Sequence, residues 1–344
     1  MKERAQRVLQ DMAQRVRQGG GDDGGEGLVR VILCVDDTDD ASKATSTGEI
    51  AGLIADEVPA LGGHVVLGIT RHQLLIADDV PYTSHNSAMA FEARLPQGAA
   101  SELRARAIDI IGSHRAASSD PGLCVAVLPD TWDGEHIAQL ARVVVFGYRA
   151  KEDLCTIDEA YELAAGVPWL ELSEHGGNGD GVVGALAGVG LRADGNDGRF
   201  RGKWVLRRIC GFADDAQEAT VGEVSARLAA GLAGHVQVLD VRGRELADRT
   251  PLALDRDVKP LLKDGRLTIV CEVVDGMARP CKKADLGEMG NVCGSWRQVC
   301  ESFEWDNDPE ECVDAQPSCK NCLYRRWVAR GFKCVLPEMQ AARA

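Results

Sequence analysis

Along residues 28–210, continuous apolar runs alternate with segments whose apolar residues have helical spacing. Continuous apolar runs typical of buried strands recur along this stretch, at 28–35, 64–70, 89–95, 123–128 and 143–146. Apolar residues at helical spacing lie between them, at 47–58, 99–111 and 157–165. This alternation predicts an α/β fold in which helices and a sheet form layers of one catalytic domain.

The pattern changes twice after this domain. Residues 216–233 have amphipathic helical spacing, and 236–241 and 267–274 are typical of strands, which predicts a small α+β unit. Eight of the twelve cysteines then lie between Cys271 and Cys334. We therefore divide the chain into four parts: a helix with a glycine-rich linker (1–27), the layered domain (28–206), the α+β unit (207–270) and a cysteine-rich, metal-stapled tail (271–344).

Composition and charge narrow the function classes. Of 344 residues, 45% are hydrophobic and 27% charged, and no stretch has the roughly 20 continuous apolar residues of a membrane span. The first 18 residues lack the apolar core of a signal peptide, so a cytoplasmic protein without a membrane partner is expected. Because the net charge is -14, a nucleic acid would need a local basic patch. A homo-oligomer is compatible with this composition.

Four carboxylates follow the first apolar run. The segment VILCVDDTDD ends in Asp36, Asp37, Asp39 and Asp40, and acids so closely spaced repel one another unless a cation is present. Mg²⁺ accepts one or two carboxylates while phosphate and water complete its shell. The hydroxyls nearby are candidates for metal ligands, helix caps or phosphoacceptors: Thr38, Thr45, Ser46 and Thr47. A solvated acidic turn followed by a capped helix is the alternative.

Two further segments have residues suited to a nucleotide. The loop HGGNGDG at 175–181 precedes a helix of small residues, and Gly177, Gly179 and Gly181 would leave backbone amides accessible to phosphate. The segment PYTSHNSAMAF at 81–91 offers Thr83, His85 and Asn86 for phosphate or base recognition. The alternative for residues 175–181 is an ordinary tight turn before a helix, and for residues 81–91 it is an ordinary capped turn.

These motifs occur together in an informative order. DDTD after a strand is followed by Pro-Tyr before a strand, by IDEA at Ile157–Ala160 and by a glycine turn into GVVGALAGVG. Over about 28–206, this order resembles the amino-terminal kinase-like catalytic domain of archaeal isoleucine-tRNA agmatidine synthetase. The resemblance implies use of Mg-ATP to activate a tRNA cytidine for ligation of a small amine, agmatine.

The resemblance also suggests roles for individual residues. Asp36, Asp37 and Asp39 would lie by the Mg²⁺-bound phosphates, and the phosphorylated hydroxyl would lie within Thr45–Ser46–Thr47. The family has lysine, arginine and glycines after Pro-Tyr, whereas this chain has mostly neutral residues there. Residues 207–270 do not resemble the tRNA-binding regions of the family.

The cysteine tail predicts metal binding. Cys312, Cys319, Cys322 and Cys334 combine a close pair with two outlying thiols, and a second set is Cys271, Cys281, Cys293 and Cys300. Zinc and an iron–sulfur cluster both accept four thiolates. The spacing C-x6-C-x2-C resembles iron–sulfur loops of some DNA-repair glycosylases. The basic residues around this pair form either a candidate tRNA patch or an ordinary solvated face: Lys320, Arg325, Arg326, Arg330 and Lys333.

Three functions follow as hypotheses. The first is an ATP-dependent phosphotransferase or ligase related to the agmatidine synthetases. The second is a nucleotide-binding or metal-sensing regulatory protein that lost the reaction along with the cations of residues 83–87. The third is an iron–sulfur protein whose tail binds RNA or carries electrons.

Overall fold

The computed structural model describes residues 27–40, 45–77, 86–281, 322, 325–328 and 331–334. The chain divides into two compact units, with the division between Gly198 and Arg199. The helix expected at 1–18 lies outside the described residues, as does all of the linker except Gly27. No helix within the described ranges combines the length and apolar content needed to cross a membrane.

The first unit contains an antiparallel sheet with strand order β5-β4-β1-β3-β2. Its strands are β1 (Leu28–Asp36), β2 (His64–Gln73), β3 (Ser87–Pro96), β4 (Gly122–Val127) and β5 (Leu170–Glu174). The helices of this unit are α1 (Thr47–Asp56), α2 (Ala99–His114), α3 (Gly134–Glu152), α4 (Ile157–Ala165) and α5 (Gly181–Asp194), with a 3-10 turn at Pro59–Leu61. The predicted α/β class is therefore confirmed.

Both faces of this sheet are covered, which explains the unbroken apolar run of β1. Ile32 and Cys34 face a core shared with α3, α4 and α5. Val31, Leu33 and Val35 face the opposite core, shared with α1 and α2. Because successive strand residues point to opposite faces, a strand covered on both sides needs apolar residues at every position.

Most strands and helices of this unit begin and end close to their predicted positions, and two elements differ. The apolar run 143–146 is the interior of the 19-residue helix α3, since both strands and buried helices contain such runs. β5 was not predicted because its sequence, LELSE, is half polar. It pairs with β4 at the end of the strand order, where one side of a strand has no neighbour to bury it.

Glycines let α5 approach its neighbours closely. A Cβ on Gly188 would lie 2.3 Å from Sγ of Cys34 on β1. A Cβ on Gly190 would lie 2.3 Å from the carbonyl oxygen of Val143 on α3. The small residues of GVVGALAGVG therefore fix the distance between α5, the sheet and α3.

The second unit contains a mixed sheet with strand order β6-β12-β13-β14-β10-β8, in which β9 pairs in parallel with β13. Its strands up to residue 280 are β6 (Arg199–Phe200), β7 (Trp204–Val205), β8 (Glu218–Thr220), β9 (Val236–Asp240), β10 (Pro251–Ala253), β11 (Asp257–Val258), β12 (Leu261–Lys263), β13 (Arg266–Val274) and β14 (Met277–Pro280). The helices are α6 (Leu206–Ile209) and α7 (Val221–Leu232). Separate pairs are β7 with β11, and β15 (Arg325–Val328) with β16 (Gly331–Cys334).

The strands predicted at 236–241 and 267–274 are confirmed as β9 and β13. The helix predicted at 216–233 is observed as α7, but it begins only at Val221, because Glu218–Thr220 forms β8 and Thr220 caps the helix. Strand β13 runs through Cys271 and then pairs with β14. The sheet of this unit thus continues past residue 271, where the composition changes and where we placed the start of the tail.

Substitution of Gly190 by alanine should destabilise the first unit by roughly 1–3 kcal/mol, because the new methyl group would overlap a backbone carbonyl of α3 that cannot rotate away. Urea unfolding of the purified protein measures this. Gly112→Ala, inside α2 with no atom within 4 Å of its Cβ position, is the control and should stabilise by about 0.5–1 kcal/mol. Equal effects of the two substitutions would contradict the close packing.

Candidate functional site

The register of three neighbouring strands brings the two predicted loops together. Asp36 at the end of β1 pairs with Gly122 at the start of β4, and Gly122 also pairs with Glu174 at the end of β5. The acidic loop that follows β1 and the glycine loop that follows β5 therefore leave the same edge of the sheet. We define the acidic loop as Asp36–Asp40 and the glycine loop as His175–Gly181.

Helix α5 begins at this edge and packs directly on the Asp36 carboxylate. A Cβ on Gly184, in the first turn of α5, would lie 1.6 Å from Oδ2 of Asp36, so only glycine leaves room for the carboxylate. Gly181 also has no room for a side chain, since a Cβ there would lie 2.3 Å from the backbone carbonyl oxygen of Asp120. The positive end of the α5 dipole thus faces a buried acid.

Asp120 ties the glycine loop to the start of β4. Its carbonyl oxygen accepts a hydrogen bond from the Gly181 N–H at 3.0 Å, and its Oδ1 accepts one from the Asn178 N–H at 2.6 Å. Gly177 has φ +64°, and a Cβ there would overlap this same Oδ1. The Asp120 carboxylate therefore lies inside the glycine loop, against the amide of Asn178. The Gly181 amide, which we expected to be accessible to phosphate, already donates to the Asp120 carbonyl.

Burial and mutual repulsion raise the pKa values of the first two acids of the acidic loop. Asp36 is buried, and desolvation followed by the charge of Asp37 holds its pKa well above the ordinary range. For Asp37, desolvation and then the charges of Asp120, Asp39 and Asp180 raise the pKa from 3.8 to about 7. Asp37 also has φ 51°, a left-handed backbone conformation that is uncommon outside glycine. The site thus concentrates negative charge that a cation would relieve.

The other acids of the acidic loop contact the start of α1 and the segment before β4. Asp39 Oδ2 accepts from the Thr47 N–H at 3.3 Å, and Asp40 accepts from the Ser118 hydroxyl. The Thr38 hydroxyl, fully buried, donates to Oγ1 of Thr47 at 3.1 Å. Asp36 and Asp37 point towards α5 and the glycine loop, whereas Asp39 contributes its charge from the α1 side.

The hydroxyls that we considered as phosphoacceptors have different surroundings. Ser46 is the N-cap of α1: its Oγ accepts from the Glu49 N–H at 3.2 Å, and the Glu49 carboxylate accepts from the Ser46 N–H at 2.7 Å. Ser46 thus forms a capping box that starts the helix. Thr45 precedes it and is partly exposed.

The polar segment is described only from Asn86 onward, so Thr83 and His85 lie outside the described residues. Asn86 holds the ends of β2 and β3 together. Its Nδ2 donates to the Leu75 carbonyl at 2.9 Å, and its carbonyl accepts from the Gln73 side chain at 2.6 Å. These contacts give Asn86 a structural task at a strand end.

Two of the predicted thiol ligands lie side by side in the second unit. Cys271 on β13 pairs with Pro280, the Cys281 N–H donates to the carbonyl of Val270 at 2.8 Å, and both thiols are buried. Burial, with the nearby Cys281, raises the pKa of Cys271 to about 12. Cys322 is also buried and Cys334 ends β16. The remaining predicted ligands lie outside the described residues: Cys293, Cys300, Cys312 and Cys319.

Sequence reasoning missed three acids of this site: Asp120, Asp180 and Glu174. A Cβ on Gly179 would lie 2.5 Å from the Glu174 carboxylate, so Glu174 also touches the glycine loop. An Asp-Pro-Gly turn directly before the apolar run 123–128 was the available signal for Asp120. The proximity of Asp120 to Asp37 depends on the strand register, which the sequence alone does not reveal.

No group of three or more acidic, thiol or imidazole side chains within the described ranges is arranged to hold a metal ion. Mg²⁺ commonly takes only one or two carboxylates from a protein and its other ligands from phosphate and water.

Comparison with known proteins finds similarity to solved structures only. No protein-family model matches the chain, and no curated protein matches it either. The structure is similar to that of apo TiaS, a tRNA agmatidine synthetase, with 24% identity and a TM-score of 0.38 over 47% of this chain and 35% of that one. The complex of TiaS with tRNA and ATP has 26% identity and a TM-score of 0.38 over 47% of this chain and 36% of that one. The complex of TiaS with tRNA, AMPCPP and agmatine has 21% identity and a TM-score of 0.37 over 57% of this chain and 43% of that one. The matched region thus spans less than half of those chains.

Asp37→Asn should flatten the dependence of stability on pH when no divalent cation is present. The folded state holds a proton on Asp37 up to about pH 7, whereas an unfolded aspartate releases it near 3.8. The free energy of unfolding should therefore fall as pH rises between these values, and the variant should lose this part of the fall. Urea unfolding at pH 5 and pH 8 measures the difference.

Asp109→Asn, at an exposed position on α2, is the matched control. Its free energy of unfolding should change with pH as that of the wild-type protein does. Identical slopes for wild type and Asp37→Asn would contradict the crowding of charges at Asp37.

Proposed function

We propose that this chain is an ATP-dependent RNA-modifying ligase of the agmatidine-synthetase type. In the reaction, Mg-ATP would activate a tRNA cytidine, and a small amine would then replace the activating group. The observation that carries the proposal is the convergence of the buried Asp36 carboxylate, the glycine loop and the first turn of α5 at one sheet edge. The order of motifs that resembles this family predicts the same convergence.

Mg²⁺ fits the residues present. Asp36 and Asp37 are adjacent in the chain, and desolvation raises the pKa of both. The charges of Asp37 and Asp39 raise the pKa of Asp36 further, and those of Asp120, Asp39 and Asp180 raise the pKa of Asp37, so a divalent cation would remove an electrostatic cost already present in the site. We propose Asp36 and Asp37 as its protein ligands. When bound, the ion supplies neutralisation of the charge on the nucleotide phosphates.

The residues of this chain would then act by positioning the ion and the nucleotide phosphates. Asp36 is fixed between β1 and Gly184, and Asp37 accepts a hydrogen bond from the backbone N–H of Asp120. Gly177 and Gly179 allow the glycine loop to bring its backbone close to phosphate, because both have positive φ. For Asp120 to share the loop with a triphosphate, a cation must lie between the two.

The phosphoacceptor of such a reaction is best assigned to Thr45. The Ser46 hydroxyl is part of a capping box and the Thr47 hydroxyl accepts from Thr38, so both serve the local structure. Thr45 directly precedes the cap and follows the acidic loop in the chain. Its hydroxyl is better suited to accept a phosphoryl group without unfolding the start of α1.

The surplus of acids around the glycine loop supports a cationic co-substrate. Glu174 and Asp180 lie at this loop in addition to the acids that we assign to Mg²⁺. A small amine, protonated at neutral pH, is attracted by such a field. We propose these acids as the recognition surface for the amine.

Asp36→Asn should lower Mg²⁺-dependent ATP turnover by at least about a hundredfold, because a neutral amide neither neutralises nor binds the ion. The fold should persist, since asparagine has the same size and a neutral group costs less to bury there than an aspartate. Labelled ATP with bulk tRNA and candidate amines is the assay, and Asp109→Asn is the control. Unchanged turnover would overturn the proposal, and nucleotide binding without turnover in wild type would favour a regulatory protein.

The adjacent thiols of Cys271 and Cys281 fit half of a four-thiolate site, and we propose that the second unit holds zinc or an iron–sulfur cluster through them. Elemental analysis of the purified full chain should find one of these metals, with absorbance at about 400 nm only for a cluster. The double substitution of both cysteines by serine should remove one metal centre, whereas Cys155→Ser in the first unit should not. Full metal content after the double substitution would contradict this assignment.

A further inference from the structure

Arg115 lies on the glycine loop. It directly follows α2, and its guanidinium covers the α-carbon of Gly176, where a Cβ would lie 2.8 Å from Cζ and Nη1. Gly176 has φ +141°, a conformation that L side chains rarely adopt. Both the backbone angle and the space at this position therefore require glycine, and together they place a cation against the loop.

The contacts of Arg115 leave most of its donors for a ligand. Nη1 donates to the Ala116 carbonyl at 3.2 Å and makes a longer contact of 3.5 Å with that of Ser119. Within the described ranges, Nε and Nη2 have no hydrogen-bond partner and no carboxylate lies in salt-bridge range. A guanidinium has five N–H donors in a planar fork, so those that remain match an oxyanion.

This lack of a carboxylate partner is informative because acids are abundant nearby. Other arginines of the same unit are paired: Arg30 with Glu92 at 2.8 Å, Arg104 with Glu171 at 3.1 Å, and Arg106 with Glu57 at 2.7 Å. Arg115 is instead held by neutral carbonyls, which fix its position without neutralising its charge. An arginine held in this way beside a glycine loop is suited to receive an anion.

We propose that Arg115 binds a phosphate group of the nucleotide, with the glycine loop as the second part of the receptor. This inference rests on the proposed function and deepens it. It also accounts for the neutral residues at 83–87, because the cation comes from the end of α2 and not from the segment after Pro-Tyr. Arg115 and the Mg²⁺ site would then contact the triphosphate from the glycine loop and the acidic loop, respectively.

Isothermal titration of the full chain with ATP, ADP and adenosine, each with Mg²⁺, tests the proposal. Arg115→Gln keeps a side-chain N–H donor for the Ala116 carbonyl but removes the charge. It should weaken ATP and ADP binding at least tenfold and leave adenosine binding unchanged. Arg115→Lys should recover part of the loss. Arg106→Gln, on α2 and paired with Glu57 and Glu102, is the control and should bind like wild type.

The other outcomes are equally decisive. ATP binding by a folded Arg115→Gln equal to that of wild type would overturn the role of Arg115, as would equal weakening of adenosine, which would indicate a structural effect. If Arg115→Gln does not fold, wild-type affinity of Arg115→Lys for adenosine and a weaker affinity for ATP would still support the contact.

If Arg115→Gln loses affinity for an RNA oligonucleotide but binds ATP like wild type, the phosphate that Arg115 binds belongs to RNA instead. Failure of wild type to bind ATP overturns the proposed function, and titration with inorganic triphosphate then tests Arg115 alone.

Discussion

Repulsion between the crowded carboxylates of the acidic loop is the constraint on which the site depends. Asp36 cannot turn away from Asp37, because β1 and the first turn of α5 enclose it on both sides. Desolvation and neighbouring charges raise the pKa of Asp37 to about 7, so near neutral pH this carboxyl is balanced between its protonated and ionised forms. Such an arrangement costs stability, and a bound cation offsets that cost.

The fold produces this constraint through strand register and small residues. In an antiparallel sheet the ends of β1 and β5 meet the start of β4, so three loops share one edge. Glycines in α5 then allow the helix to contact the sheet and α3 more closely than any side chain would permit. The segments that build the core therefore also determine how far the acidic loop lies from the glycine loop.

The sequence was sufficient to predict this much: the α/β class, most element positions, and the two loops as partners. The unbroken apolar run of β1 and the small residues of α5 carry that information locally. Sequence reasoning did not find Asp120, Glu174 or Arg115, because each reaches the site by pairing or packing across elements distant in the chain. The half-polar strand β5 was missed for a related reason, since an end strand is stabilised by its partner more than by its own residues.

The most direct test is the position of a manganese ion, used in place of Mg²⁺, in crystals grown with a non-hydrolysable ATP analogue. The account predicts one anomalous peak at bonding distance from Asp36 or Asp37 and from a phosphate oxygen, with the phosphates against residues 176–181. Phosphates bound elsewhere, or an ordered nucleotide with no metal beside these aspartates, would contradict it.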